Sequence, residues 1–161
     1  MASAIATRVP LLLDRAAVEQ FAHRRGEAEW LVGTRLAAVD RYAEAAWPTG
    51  AEEEWRRFPL DGLPTGPLVG AVSATAYAGT APAGVAFGSL AEHAVTHGDL
   101  VARRLSSDEG IATHTPFRAL AGALWADGSF LHVPAGTRVE GPLWIRRHWA
   151  AGDAALLERT I

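Results

Sequence analysis

FRALAGALWADGSFLHVPAGTRVEGP, residues 117–142, is the stretch whose reading decides the fold of this 161-residue chain. Phe117, Leu120, Leu124 and Trp125 recur at helical spacing, so the segment opens as an amphipathic helix. Asp127-Gly128 breaks that pattern. Short strand-like runs follow at residues 130–133, 138–139 and 143–145. The corners between them fall at Pro134, Gly136, Gly141 and Pro142, residue types that supply a fixed or a positive φ in tight turns.

Three flanking patches extend the pattern. They are Glu27-Ala28-Glu29-Trp30-Leu31 with Arg35-Leu36-Ala37-Ala38, Glu53-Glu54-Trp55-Arg56-Arg57-Phe58-Pro59-Leu60, and Pro82-Ala83-Gly84-Val85-Ala86-Phe87-Gly88-Ser89-Leu90. Together with residues 117–142 they resemble the SufB/SufD family, scaffold proteins of iron–sulfur cluster assembly, and most closely its SufD branch. Phe58 departs from the family pattern, where threonine is commoner. Ala121 departs too, at a position where asparagine usually follows leucine.

The resemblance implies an α+β chain: a helical N-terminal domain with a few short strands over residues 1–122, then the first rungs of a right-handed parallel β-helix over residues 123–161. The twelve-residue step from Leu131 to Leu143 agrees with short strands and tight corners in such a coil. It implies a non-catalytic, SufD-like scaffold subunit of the SufBCD complex, with SufB-like and SufC-like partners and no cofactor in this chain. Fe–S clusters and ATP would be handled by segments beyond Ile161 and by other subunits. Leu156-Leu157-Glu158-Arg159-Thr160-Ile161 resembles a strand that continues the family's β-helix, so the expectation is the N-terminal part of a longer protein. An open coil end presents unpaired backbone groups, which makes it a template for self-association.

Composition narrows the classes. Hydrophobic residues at 49% and charged residues at 20% describe a globular chain. A net charge of −3 gives no bulk attraction to nucleic acid. With no cysteine there is neither a disulfide framework nor a thiolate for a cluster or zinc, which fits a cytoplasmic address. All fifteen basic residues are arginine, which excludes a Walker A lysine and a Schiff-base lysine. The uncharged stretch at residues 62–91 is too rich in Gly, Pro, Ala, Ser and Thr to span a membrane. Residues 9–13 are too short for a signal-peptide core.

Along the chain, Asp14 caps an expected helix over residues 15–25 that Gly26 stops, with Val18 and Phe21 on one face. A second helix is expected over residues 27–46, with Val32, Leu36, Val39 and Ala43 inward and Pro48 closing it. Strands are expected within residues 68–77 and 85–87. Ser89-Leu90-Ala91-Glu92 reads as a capping box opening a helix that Gly98 ends. Asp99 caps a further turn or two through Leu105, residues 106–110 form a loop, and residues 116–126 form a helix with proline in its first turn.

Few constellations carry chemistry. His93 and His97 share a helical face beside Glu92, with Asp99 the only further ligand type nearby. Two ligands rarely hold zinc, so this reads as an exposed helix face and no metal site is assigned. A small metal-binding protein using His93 and His97 is the third reading, behind a stand-alone protein–protein interaction module of unknown partner. His114, His132 and His148 are isolated. Ser89 is a helix cap, Ser129 belongs to the Asp127-Gly128 turn, and Asp108-Glu109 is a solvated pair. The glycine-rich residues 62–70 lack a phosphate-loop spacing. Arginine pairs at 24–25, 56–57, 103–104 and 146–147 are too scattered for a nucleic-acid face. Trp30 and Trp125 fall on core positions, whereas Trp55, Trp144 and Trp149 beside arginines suit either packing or a partner surface. No catalytic residue is assigned.

Overall fold

The computed structural model describes residues 13–48, 52–53, 55–57, 74–107, 115–148 and 157–161. Helix α1 (Arg15–Arg24) begins where the Asp14 carboxylate accepts from the Ala16 amide at 2.8 Å. Gly26 ends it at φ 64°, a left-handed conformation open to glycine at little cost, and Val18 and Ala22 pack inward. Helix α2 (Glu29–Glu44) buries Leu31, Val32, Arg35, Ala38, Val39 and Tyr42. That face is rotated from the expected apolar row: Ala43 is exposed and Leu36 only half-buried, because an arginine occupies the middle of the buried stripe.

Strand β1 (Ala74–Ala78) lies within the expected residues 68–77 apart from its last residue, and the earlier part of that expectation lies outside the described residues. A Pro82–Gly84 turn leads into β2 (Ala86–Ser89), with the Val85 amide donating to the Pro82 carbonyl at 3.1 Å. Ser89 Oγ accepts from the Glu92 amide at 3.2 Å and opens α3 (Leu90–Thr96), as the capping-box spacing predicts. Gly98 does not end the helical segment but begins α4 (Gly98–Ser107); the break is one residue earlier, at His97. A Cβ on Gly98 would stand 3.7 Å from the Trp30 indole nitrogen, in ordinary contact. Ser106 and Ser107 belong to α4 rather than to a loop, and Asp108 and Glu109 lie outside the described residues.

Thr115 caps α5 (Pro116–Leu124), whose exit comes two residues before the expected one because Trp125 leaves the helix and the Ala126 amide turns to the Leu157 carbonyl. Strand β3 (Asp127–His132) follows. Its Gly128 and Ser129 are strand residues, which corrects the reading of Ser129 as part of a turn. Thr137 donates to Pro134 at 3.1 Å with Gly136 at φ 76°, the expected P-x-G corner. Strand β4 (Trp144–His148) and β5 (Glu158–Thr160) complete the order; residues 138–139 form no strand.

Two sheets result. In one, β2 pairs antiparallel with β3, and β3 pairs parallel with β5, Asp127 opposite Glu158. In the other, β1 pairs antiparallel with β4, Ala78 opposite Trp144. Thus Leu143 does not lead into a strand stacked over Leu131 after twelve residues. The hydrogen-bonding partner of residues 144–148 is β1, and the parallel neighbour of β3 arrives only with β5. The architecture is mixed α+β, and a right-handed β-helix is not shown.

One hydrophobic cluster joins Val18, Ala38, Val39 and Tyr42 to Ala119, Leu120, Ala123 and Leu124 across α1, α2 and α5. A second joins Leu31 to Ala86, Leu90, Val101, Trp125 and Phe130. Helices α2 and α5 approach closely enough that a Cβ on Gly122 would stand 3.1 Å from the Ala38 methyl. Among the described residues no helix is long and apolar enough to cross a membrane.

Tyr42 makes the first cluster pH-sensitive at its alkaline end. Burial raises its phenol from 10.0 to about 12. Between those values the unfolded chain loses the phenolic proton while the folded chain keeps it, so stability falls as pH rises through the window. Thermal melts between pH 9 and 12 should show this loss, and Tyr42→Phe should flatten the slope; an unchanged slope would refute the assignment.

Candidate functional site

Two polar arrangements lie against the three-stranded sheet. The first is the histidine pair at the end of α3. His93 Nδ1 stands 3.0 Å from His97 Nδ1, and Thr96 Oγ1 stands 2.9 Å from His97 Nδ1 and 3.4 Å from His93 Nδ1. The pair forms because four residues make one helical turn, and because the helix breaks at His97, whose backbone leaves helical geometry at φ −131°. The His97 carbonyl then accepts from the Leu100 and Val101 amides and so starts α4.

Phe130 of β3 supports both imidazoles, with ring centroids 4.8 Å from His93 and 6.0 Å from His97. Gly88 of β2 leaves room for His93: a Cβ there would meet Nε2 at 3.3 Å. Burial lowers the His93 pKa, and the neighbouring His97 charge lowers it further, against opposing effects of Glu92 and a hydrogen bond with the Phe87 backbone. Desolvation of this kind favours the neutral imidazole, the form that accepts a proton or binds a metal. The rings are half-buried rather than on the freely exposed face expected from the sequence, and Thr96 beside them is exposed. No group of three or more His, Asp or Glu that could hold a metal occurs among the described residues, so neither Glu92 nor Asp99 completes a carboxylate site here.

The second arrangement ties the two sheets together. Tyr77 of β1 donates to the Gly128 carbonyl of β3 at 2.7 Å. Arg147 of β4 reaches Ser129 Oγ and Thr160 Oγ1, each at 2.9 Å, and its Nε lies 2.7 Å from the Glu158 carboxylate. Ser129 is fully buried, and burial raises the Tyr77 pKa. The hydrogen bonds, and the ion pair in which Arg147 Nε meets the carboxylate without hydrogen-bond geometry, hold β1, β3, β4 and β5 in register. Sequence reading missed the junction, since its members come from four strands and the run Trp144-Ile145-Arg146-Arg147-His148 carries no alternation that would turn Arg147 inward.

Ser89 is a cap, and its hydroxyl also donates to Asp127 Oδ1 at 2.8 Å. That carboxylate accepts from the Ala91 amide as well, so Asp127 fastens β3 to the start of α3. Trp125 is fully buried, whereas Trp55 stacks on Phe117 at 5.1 Å. Trp144 is 65% exposed, and among the described residues Val95, Leu131, Val133 and Ile145 are the other large apolar side chains that are exposed. His114, Trp149 and the glycine-rich residues 62–70 lie outside the described residues.

Residues 71–145 match the family model for the SufBD protein N-terminal region, from ahead of β1 into β4. Those residues are similar to the N-terminal region of SufB/SufD proteins, and the match does not separate one branch from the other. No curated protein matches the chain.

Proposed function

We propose, from the similarity of residues 71–145 to the N-terminal region of SufB/SufD proteins, that the chain is the N-terminal portion of a SufD-like, non-catalytic scaffold of iron–sulfur cluster assembly. The family match is the observation that carries this reading. The parallel pairing of β3 with β5 agrees with it, because a parallel β-helix is built from such neighbours. In this reading the chain continues into a right-handed β-helix, works in the cytoplasm, and meets SufB-like and SufC-like subunits through later segments. Clusters and ATP belong to those segments and subunits.

Affinity isolation of the protein from its own cells, without oxygen, is the test. SufB-like and SufC-like subunits should co-elute with it in fixed proportion, and its depletion should lower the activity of iron–sulfur enzymes. Elution without either subunit, together with unchanged iron–sulfur enzymes, would overturn the proposal.

A second reading, a stand-alone interaction module, is favoured by exposed Trp144 beside exposed Ile145. The same isolation separates the two, since such a module would bring down a partner unrelated to cluster assembly. Self-association through an open strand edge is read by light scattering of the purified chain; a monomer at high concentration would exclude it.

A further inference from the structure

We infer that His93, His97 and Thr96 form a binding site for a divalent first-row transition cation, held through His93 Nδ1 and His97 Nδ1 with the Thr96 hydroxyl as third donor. The inference is independent of the family reading. Two imidazole nitrogens bound to one ion at ~2.1 Å stand about 3.0 Å apart at a right angle and about 3.4 Å apart at the tetrahedral angle. The three donor atoms here form a triangle with sides of 3.0, 2.9 and 3.4 Å, which is the face of such a coordination shell.

Proton counting points the same way. The Thr96 hydroxyl donates its hydrogen to the Glu92 carbonyl at 3.2 Å, so its lone pairs are left for the imidazoles. His93 turns Nε2 toward β2, where a Cβ on Gly88 would meet it, and hydrogen-bonds the Phe87 backbone, while its Nδ1 faces His97; with Nε2 as the protonated nitrogen, Nδ1 offers a lone pair. A metal-bound histidine is oriented by this kind of bond to a carbonyl. Three lone-pair atoms therefore converge on space that a single imidazole proton fills, and a cation replaces that proton. Phe130 behind the rings and Gly88 beside them fix the pair, while exposed Thr96 leaves the open side to solvent and to water ligands.

Two nitrogens and a neutral oxygen, with no carboxylate or thiolate, select borderline cations such as Cu2+ and Zn2+ over Mg2+ and Ca2+. Calorimetric titration of the whole chain should show one saturable equivalent of Cu2+ or Zn2+, tighter for Cu2+, and none of Mg2+. His97→Asn should weaken Zn2+ binding at least roughly tenfold, and Thr96→Val by less. Long-range nitrogen NMR reads the geometry directly: Zn2+ should shift the Nδ1 resonances of both His93 and His97. Non-saturable binding, affinity unchanged in His97→Asn, or shifts confined to Nε2 or to His23, His114, His132 or His148 would each overturn the site. Should His97→Asn fail to fold, Thr96→Val and the NMR shifts of the unsubstituted chain decide between the same outcomes.

Discussion

Replacing Glu27 by alanine should lower the unfolding free energy by about 3–5 kcal/mol, the cost of leaving a buried charge without its partner. Arg35 on α2 is completely buried, and burial pulls its pKa below the ordinary guanidinium value while Glu27 opposes the shift. The Glu27 carboxylate takes both Arg35 Nε at 2.6 Å and Arg35 Nη2 at 2.7 Å, a two-point pairing that a lysine could not make. Arg35 Nη1 donates to the Ala123 carbonyl of α5 at 3.0 Å. Its guanidinium also lies 4.4 Å from the Trp125 ring and 5.1 Å from the Phe21 ring. One cation thereby holds α1, α2, α5 and the entrance to β3.

Arg25 adds to the same carboxylate at 3.0 Å and donates to the Ala126 carbonyl. Without Glu27 two arginines face each other over Phe21. Arg35→Met combined with Glu27→Ala should recover a large part of the loss, because the uncompensated charge is gone and an apolar chain fills the space. Urea unfolding curves measure both. A cost under about 1 kcal/mol for Glu27→Ala would show that water reaches Arg35 and that the pair is an ordinary surface bridge.

This buried pair marks where sequence reading ran out. Val32, Leu36, Val39 and Ala43 form a plausible apolar row, yet the helix turns Arg35 inward because its partners, Glu27 and the Ala123 carbonyl, are brought together only in three dimensions. Local signals were legible. Asp14, Ser89 and Gly26 act through backbone groups within a few residues, so their roles follow from types and spacing alone. Strand pairing was not legible. The antiparallel union of β1 with β4 joins segments more than sixty residues apart, and nothing in either run of residues specifies that neighbour over the one twelve residues away. Likewise the His93 and His97 spacing was visible, whereas the approach of Thr96, the support of Phe130 and the orienting bond to Phe87 were not.

Gly128→Val should be the other severe change, with a cost of about 3 kcal/mol, at the upper end of what overpacking produces. A Cβ at Gly128 would lie 1.6 Å from the Arg159 carbonyl oxygen and 2.6 Å from its carbon, so the obstacle is backbone and cannot swing aside. The added group must push β5 off β3. That motion breaks the bond from the Leu131 amide to the Ile161 carbonyl and the one from the Ile161 amide to the Ser129 carbonyl, each 2.9 Å. It also separates Thr160 and Glu158 from Arg147, and it shifts the carbonyl that Tyr77 binds. The damage should stay on the β5 side: amide hydrogen exchange at Leu131 and Ile161 should accelerate, while the amides of Ala38, Val39 and Tyr42 on α2 and of Ala119, Leu120 and Ala123 on α5, whose side chains form the first cluster, keep their protection. Uniform acceleration across α2 and α5 would mean that the parallel strand is part of one cooperative unit with the helices. Unchanged exchange at Leu131 and Ile161 would mean that β5 does not sit on Gly128 at all, and with it would go the parallel neighbour on which a coil continuing past β3 depends.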